Sequence, residues 1–248
     1  WNARHQDVKI KTNNTKEIWE SLRRLMSSSC NKESCWLKHK CLKEGLDNTI
    51  VENTFAPYQP MEWKKKPNEW LSSVDIQKVM KQYEKAYKCF EFLGPSPIDF
   101  DDHKLYGECV WEEICKFNLL DFIKRKKTKI GFIFNLDKHT QPGSHWVAMF
   151  INTRKRQITY MDSYGDNPPK EVDVLAHRIQ KQSESIGETY QYNITTLRHQ
   201  YSNSECGMYC LHFIIESLKG KNWTYFNKTK ISDKKMKRLR NIYFNVNN

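Results

Sequence analysis

Four residues in the second half of the chain have types and an order that could do nucleophilic chemistry: His145, Asp162, Gln200 and Cys206. A thiol attacks a carbonyl as its anion, and a free cysteine titrates near ~8.5. An imidazole beside it takes the proton and pairs with the thiolate, and a carboxylate behind the imidazole holds its ring and tautomer. A further donor has to face the oxyanion that forms on the attacked carbonyl. Cys206, His145, Asp162 and Gln200 match these four jobs in that order. Each alone says little. A single Cys is more often a small buried hydrophobe, and an Asp ahead of Ser-x-Gly is often a turn former. The joint pattern points to thiol-based cleavage of an acyl bond.

The elements around them suit those jobs. Cys206 opens a helical stripe of Met208, Leu211, Ile215 and Leu218, so helix N–H groups and the helix dipole favour an anion there. Gly207 lets the backbone approach a substrate carbonyl. Trp146–Ile151 and Gln157–Met161 read as strands joined by the basic turn Thr153–Arg156. His145 begins the first, after the Pro142-Gly143-Ser144 turn, and Asp162 ends the second. An antiparallel hairpin brings those two ends side by side. Gln200 lies in a loop that could fold its amide over the sulfur.

The wider pattern is α+β. Thr15–Met26 is amphipathic through Ile18, Leu22 and Leu25. Ser72 and Asp75 form a capping-box pair ahead of Ile76, Val79, Met80, Tyr83 and Tyr87 at helical spacing. Ile130–Phe134 reads as a buried strand. Val172, Leu175, Ala176 and Ile179 share a helix face with Gly187 beyond its end. Tyr190, Tyr192 and Ile194 alternate as a strand, and Asp233–Phe244 is a basic helix. The basic run Lys64-Lys65-Lys66 closed by Pro67 suggests a boundary, giving a mainly helical N-terminal extension over 1–66 and a main domain over 67–248.

The 248 residues carry 41 Lys and Arg against 29 Asp and Glu, a formal charge of +12, which favours acidic partners. Possible nucleic-acid contacts are the basic clusters Lys64–Lys66, Lys124–Lys127 and Lys234–Arg240; the plain reading of each is a solvated face. Aromatics at 13% argue against disorder. No apolar run approaches the ~18 residues of a membrane-spanning helix. Eight cysteines in a chain of this length without an apolar leader suggest a reducing compartment. Because the chain starts at Trp1 rather than Met, a lost signal stays open.

Ser144-His145-Trp146-Val147-Ala148, Tyr160-Met161-Asp162-Ser163-Tyr164-Gly165, Arg198-His199-Gln200 and Glu205-Cys206-Gly207, with Trp70-Leu71-Ser72-Ser73 and an early Glu33-Ser34-Cys35, resemble the SUMO-protease/adenain superfamily of cysteine peptidases. Within it the chain is most similar to the asfarvirus-type polyprotein proteases of large DNA viruses. The resemblance is good over 67–248 and faint over 1–66. It implies a small mixed sheet between helices; no cofactor and no metal are expected. It also implies cleavage after a Gly-Gly pair threaded through a narrow channel, with Trp146 as a wall that any Cβ would strike. Asp162 stands where the asfarvirus enzyme has Asn and cellular SUMO proteases have Asp; either orients the imidazole, and Asp adds charge. Two substrates fit: a viral structural polyprotein cut during particle maturation, in the virion or host cytoplasm, or a ubiquitin-like modifier cut after its terminal Gly-Gly.

Three other readings are weaker. Ser34-Cys35-Trp36 resembles the papain Cys-Trp signature, but Ser29 stands where the oxyanion Gln is needed. Cys30, Cys35, His39 and Cys41 lack a Cys-x-x-Cys knuckle for zinc. A purely nucleic-acid-binding module would leave the His, Asp, Gln and Cys order unexplained.

Overall fold

The computed structural model describes residues 1–2, 5–27, 36 and 55–245. They fall into two compact units, Trp1–Pro57 and Tyr58–Asn248. In the first, helix α1 (Thr15–Met26) starts where Asn14 caps it, its side chain accepting from Lys16 N and Glu17 N. The Lys64–Lys66 run lies inside the second unit, since the turn Met61–Lys64 buries Trp63 against Phe244.

The second unit is a five-stranded sheet in the order β1-β2-β3-β4-β5, covered by helices on both faces. Its elements in chain order are α2 (Ser73–Ala86), β1 (Phe90–Pro97), α3 (Glu112–Cys115), α4 (Leu119–Lys124), β2 (Lys129–Asn135), β3 (Trp146–Asn152), β4 (Gln157–Met161), α5 (Lys170–Ser185), β5 (Gln191–Ile194), α6 (Cys206–Leu218), α7 (Trp223–Lys228) and α8 (Asp233–Tyr243). The β1–β2 and β4–β5 pairs are parallel; β2–β3 and β3–β4 are antiparallel. The expected α+β class and small mixed sheet are therefore present.

Strand β3 is apolar along its whole length because both faces are covered. Trp146, Ala148 and Phe150 face the layer of α2, α6 and α8, while Val147, Met149 and Ile151 face α4 and α5. Helix α2 begins as its capping box requires: Ser72 Oγ accepts from Asp75 N, and the Asp75 carboxylate accepts from Ser72 N at 3.0 Å. Helix α6 is buried on nearly every side and forms the spine of its layer.

Sequence periodicity did not reveal β1. Gly94, Pro95 and Pro97 are residue types common in turns, yet here they sit in an edge strand. Edges tolerate Pro because one row of N–H groups pairs with nothing. Pairing with β2 shifts register between Leu93 and Ser96, where Gly94 takes φ +123°; a Cβ there would lie 2.9 Å from the Ile133 carbonyl oxygen.

Candidate active site

His145 stands at the end of the β2–β3 ladder, immediately before Trp146. Its carbonyl accepts from Leu136 N at 2.9 Å, so the backbone is pinned where the ring leaves the sheet. The approach loop is wired by two side chains. Asn135 Oδ1 accepts from Asp137 N and Ser144 N, and the Asp137 carboxylate accepts from Gly143 N and Ser144 Oγ. Gly143 takes φ +100°, and a Cβ on it would meet the Asn135 amide at 2.9 Å.

Asp162 follows β4. The β3–β4 ladder ends at Ala148 and Met161, which leaves the two chain ends adjacent, as the hairpin argument requires. His145 Nε2 lies 2.8 Å from Asp162 Oδ1, and that oxygen also accepts from Tyr164 N at 2.8 Å. The Tyr164 ring stacks on His145 with centroids 4.8 Å apart. With Nε2 committed to Asp162, Nδ1 is the ring nitrogen left to face Cys206, whose negative charge bears on the ring. Burial is the largest single influence on His145 and pulls its pKa down. The hydrogen bonds and negative charges of Asp162 and Cys206 together outweigh it and lift the pKa from 6.5 to about 9. The ring therefore binds its proton more tightly than a free imidazole.

Cys206 is the first residue of α6, and the Glu205 side chain does not cap the helix, so the first-turn N–H groups are left uncapped by it. Glu205 is engaged elsewhere. Its carboxylate is wholly buried and meets Arg240 Nε at 3.0 Å; the same guanidinium donates to the carbonyls of Glu69 and Ser204 and lies 4.3 Å from the Trp63 ring centroid. Losing one partner of such a pair costs about 3–5 kcal/mol, because the other charge is left buried. The pair ties the loop entering Cys206 to α8. Asp233 does the same one step earlier, accepting from Tyr201 N, Ser202 N and Tyr209 Oη.

Gln200 is fully buried. Its Oε1 accepts from Ser163 Oγ at 2.7 Å, and Nε2 donates to the Ser202 carbonyl and, at a long 3.4 Å, to Tyr164 Oη. The amide orientation is set by Ser163, and the weakly held N–H is the one free to change partner.

Trp146 is 7% exposed, and its indole N–H donates to the Leu71 carbonyl at 3.1 Å. It lines a groove of about 640 Å³ together with Trp70, Leu71 and Gly143. Gly207 has a packing reason beyond backbone approach: a Cβ there would sit 3.0 Å from Leu71 Cβ. Leu71 therefore touches both Trp146 and α6.

Sequence reasoning missed Ser163, Tyr164, Glu205, Arg240 and Leu71 as supports. Glu205-Cys206-Gly207 and Trp70-Leu71 were noticed only as parts of motifs; nothing local ties Glu205 to an arginine 35 positions away. The basic cluster at Lys234–Arg240 contains that buried Arg240, while Arg125 of Lys124–Lys127 pairs with Glu91 at 2.8 Å and Lys66 of Lys64–Lys66 with Glu69 at 3.4 Å nearer the surface. Cys30, Cys35, His39 and Cys41 lie outside the described residues. Among the described residues, the group of three with metal-ligand spacing is His103, Cys109 and Cys115.

Residues 76–248 match the Ulp1 protease family, C-terminal catalytic domain. The chain is 28% identical over 246 residues to cysteine protease S273R of African swine fever virus, covering 93% of this chain and 89% of that protein. It is 29% identical over 219 residues to protein R355 of Acanthamoeba polyphaga mimivirus, covering 87% and 70%. The crystal structure of the African swine fever virus pS273R protease superposes with a TM-score of 0.72 at 24% identity, over 96% of this chain and 94% of that one. With a matching domain over most of its length and a His–Asp pair beside a helix-opening cysteine, the chain belongs to the Ulp1 protease family and is a cysteine protease.

Proposed function

We propose that this chain is an endopeptidase that cuts after Gly-Gly and processes a viral structural polyprotein during particle assembly, in the virion or the host cytoplasm. The observation that carries the chemistry is His145, held through Nε2 by Asp162 and near enough to Cys206 for the two to interact electrostatically. Cys206 Sγ attacks the scissile carbonyl, and the Sγ–C bond forms as the carbonyl π electrons move to oxygen. Gln200 Nε2 and backbone N–H groups at the start of α6 stabilise that oxyanion. The His145 imidazolium gives its proton to the leaving amine as the C–N bond breaks. A thioester remains; His145 then takes a proton from water, whose oxygen attacks the thioester and releases the acid and the thiolate.

Asp162 orients the ring and stabilises its charge. Trp146, anchored on Leu71 in the wall of the groove, supports the Gly-Gly reading as the aromatic residue that follows the catalytic histidine in the family motif. The viral substrate is supported by coverage of nearly the whole S273R protein, N-terminal region included. A second reading, cleavage of a ubiquitin-like modifier, is favoured by the name SUMO-1 cysteine protease carried by S273R of another African swine fever virus isolate. Incubation with Gly-Gly-x peptides from candidate precursors, their Ala-Gly-x counterparts, and SUMO- and ubiquitin-based active-site probes separates these. Cleavage of the Gly-Gly peptides alone, with new N-termini directly after the second Gly, is expected. Rapid labelling by a modifier probe without precursor cleavage would overturn the polyprotein assignment.

Gln200→Ala is expected to lower kcat by on the order of 10²–10³ with KM little changed, the usual cost of one oxyanion donor. Steady-state kinetics check this, and wild-type turnover in the variant would remove the role.

A further inference from the structure

The segment after β1 folds into a short hairpin. Lys104 N donates to Glu108 O, Gly107 N to Lys104 O and Val110 N to Asp102 O, with His103 and Cys109 bridged across it. Helix α3 then turns back and ends at Cys115, so three soft donors meet. Cys109 and Cys115 have Cα atoms 6.3 Å apart, His103 Nε2 lies 4.0 Å from Cys109 Sγ, and all three ligand atoms fall within 4.8 Å of one another. In this structure the two sulfurs are joined as a disulfide.

We propose that in the reduced protein His103, Cys109 and Cys115 form a binding site for Zn²⁺. With Zn–S about 2.3 Å and Zn–N about 2.0–2.1 Å, tetrahedral ligands stand roughly 3.5–3.8 Å apart. The His103–Cys109 separation is already close to that. Side-chain rotation moves the freed thiols apart with the backbone where it is. A ligand set of two thiolates and one imidazole selects zinc over Mg²⁺ or Ca²⁺. Two thiolates and a divalent ion are together neutral. Three protein ligands leave one position for water, which reaches it because His103 is exposed.

The chemistry balances. A dithiol reductant supplies two electrons and two protons to the Cys109–Cys115 disulfide and leaves as its own disulfide. Zn²⁺ then displaces both thiol protons into solvent. Lys104, Val110 and Trp111 of this segment line the same groove as Trp70, Leu71 and Trp146. The ion would therefore fasten one wall of that groove; its role in substrate binding rests on the proteolytic reading above, whereas metal binding does not.

The test uses the full chain carrying Cys206→Ala, reduced with a phosphine, and titrated with Co²⁺ and then Zn²⁺. A sulfur-to-cobalt charge-transfer band saturating at one ion per chain and bleached by Zn²⁺ is expected. It should be lost in a Cys109→Ser/Cys115→Ser double variant, weakened at least about tenfold in affinity by His103→Ala, and kept in a Cys30→Ser/Cys35→Ser/Cys41→Ser variant. In case the double variant does not fold, Zn²⁺ protection of Cys109 and Cys115 from alkylation, read by peptide mass on otherwise wild-type chain, gives the same answer. No band in the reduced parent, a band unaffected by loss of Cys109 and Cys115, or unprotected alkylation would each overturn the site.

Discussion

Replacing Cys206 by Ala lowers peptidase turnover by at least about 10⁴-fold while the chain stays folded. The size follows from the mechanism: without the sulfur there is no thioester, and removing a nucleophile that acts as a unit with its base leaves the oxyanion donors and binding alone. The fold survives because the change deletes one buried atom at the start of α6 and leaves the His145 ring paired with Asp162. Turnover of a Gly-Gly-x peptide and a thermal melt, taken together, check it. Substantial residual activity would move the nucleophile elsewhere. Two other free cysteines lie in the described residues, Cys89 and Cys210. Cys210 is sealed in the core, where burial and the nearby Cys206 and Asp162 push its thiol up, so it is a poor candidate. Alkylation that inactivates the wild-type enzyme should accordingly map to Cys206.

The second large effect falls on His145. His145→Ala removes the proton acceptor, the proton donor and the charge partner of the thiolate at once, and kcat/KM should drop by at least about 10⁴-fold. The wild-type pH profile carries the same information. Hydrogen bonds and charge from Asp162 and Cys206 overcome burial and hold the His145 pKa at about 9. The active ion pair therefore persists until the imidazolium loses its proton, placing the alkaline limb of kcat/KM near pH 9. Because the folded ring binds its proton more tightly than an unfolded histidine, protonation of His145 contributes stability that is fully present below about pH 6.5 and fades as pH rises through about 9. In Asp162→Asn the upward pull weakens and the alkaline limb should move toward 6.5, with a smaller rate loss than in His145→Ala. An alkaline limb unmoved by Asp162→Asn would show that another group titrates there.

The helices that carry their own signals were legible at residue level. Ser72 with Asp75 started α2 where the capping box said, and the apolar face of α5 was buried as its spacing implied. Strand β3 was legible as a continuous apolar run and β4 from Ile158 and Tyr160 alternating with Gln157 and Thr159, and their hairpin followed from the short turn between them. Strand β1 was not, since its Gly and Pro carry the local signature of a turn while only the neighbouring β2 makes them a strand.

The site divides the same way. The residue types, their order along the chain and the elements they terminate were determined by sequence alone, because helix starts, strand ends and the chemistry of each side chain are local properties. The tertiary structure decided which nitrogen of His145 faces Asp162, that Ser163 sets the Gln200 amide, that Leu71 sits between Trp146 and Gly207, and that Arg240 secures Glu205 beside the nucleophile. These contacts join residues tens to more than a hundred positions apart. Their partners are chosen by the packing of layers against the sheet, and no local period or propensity encodes that choice.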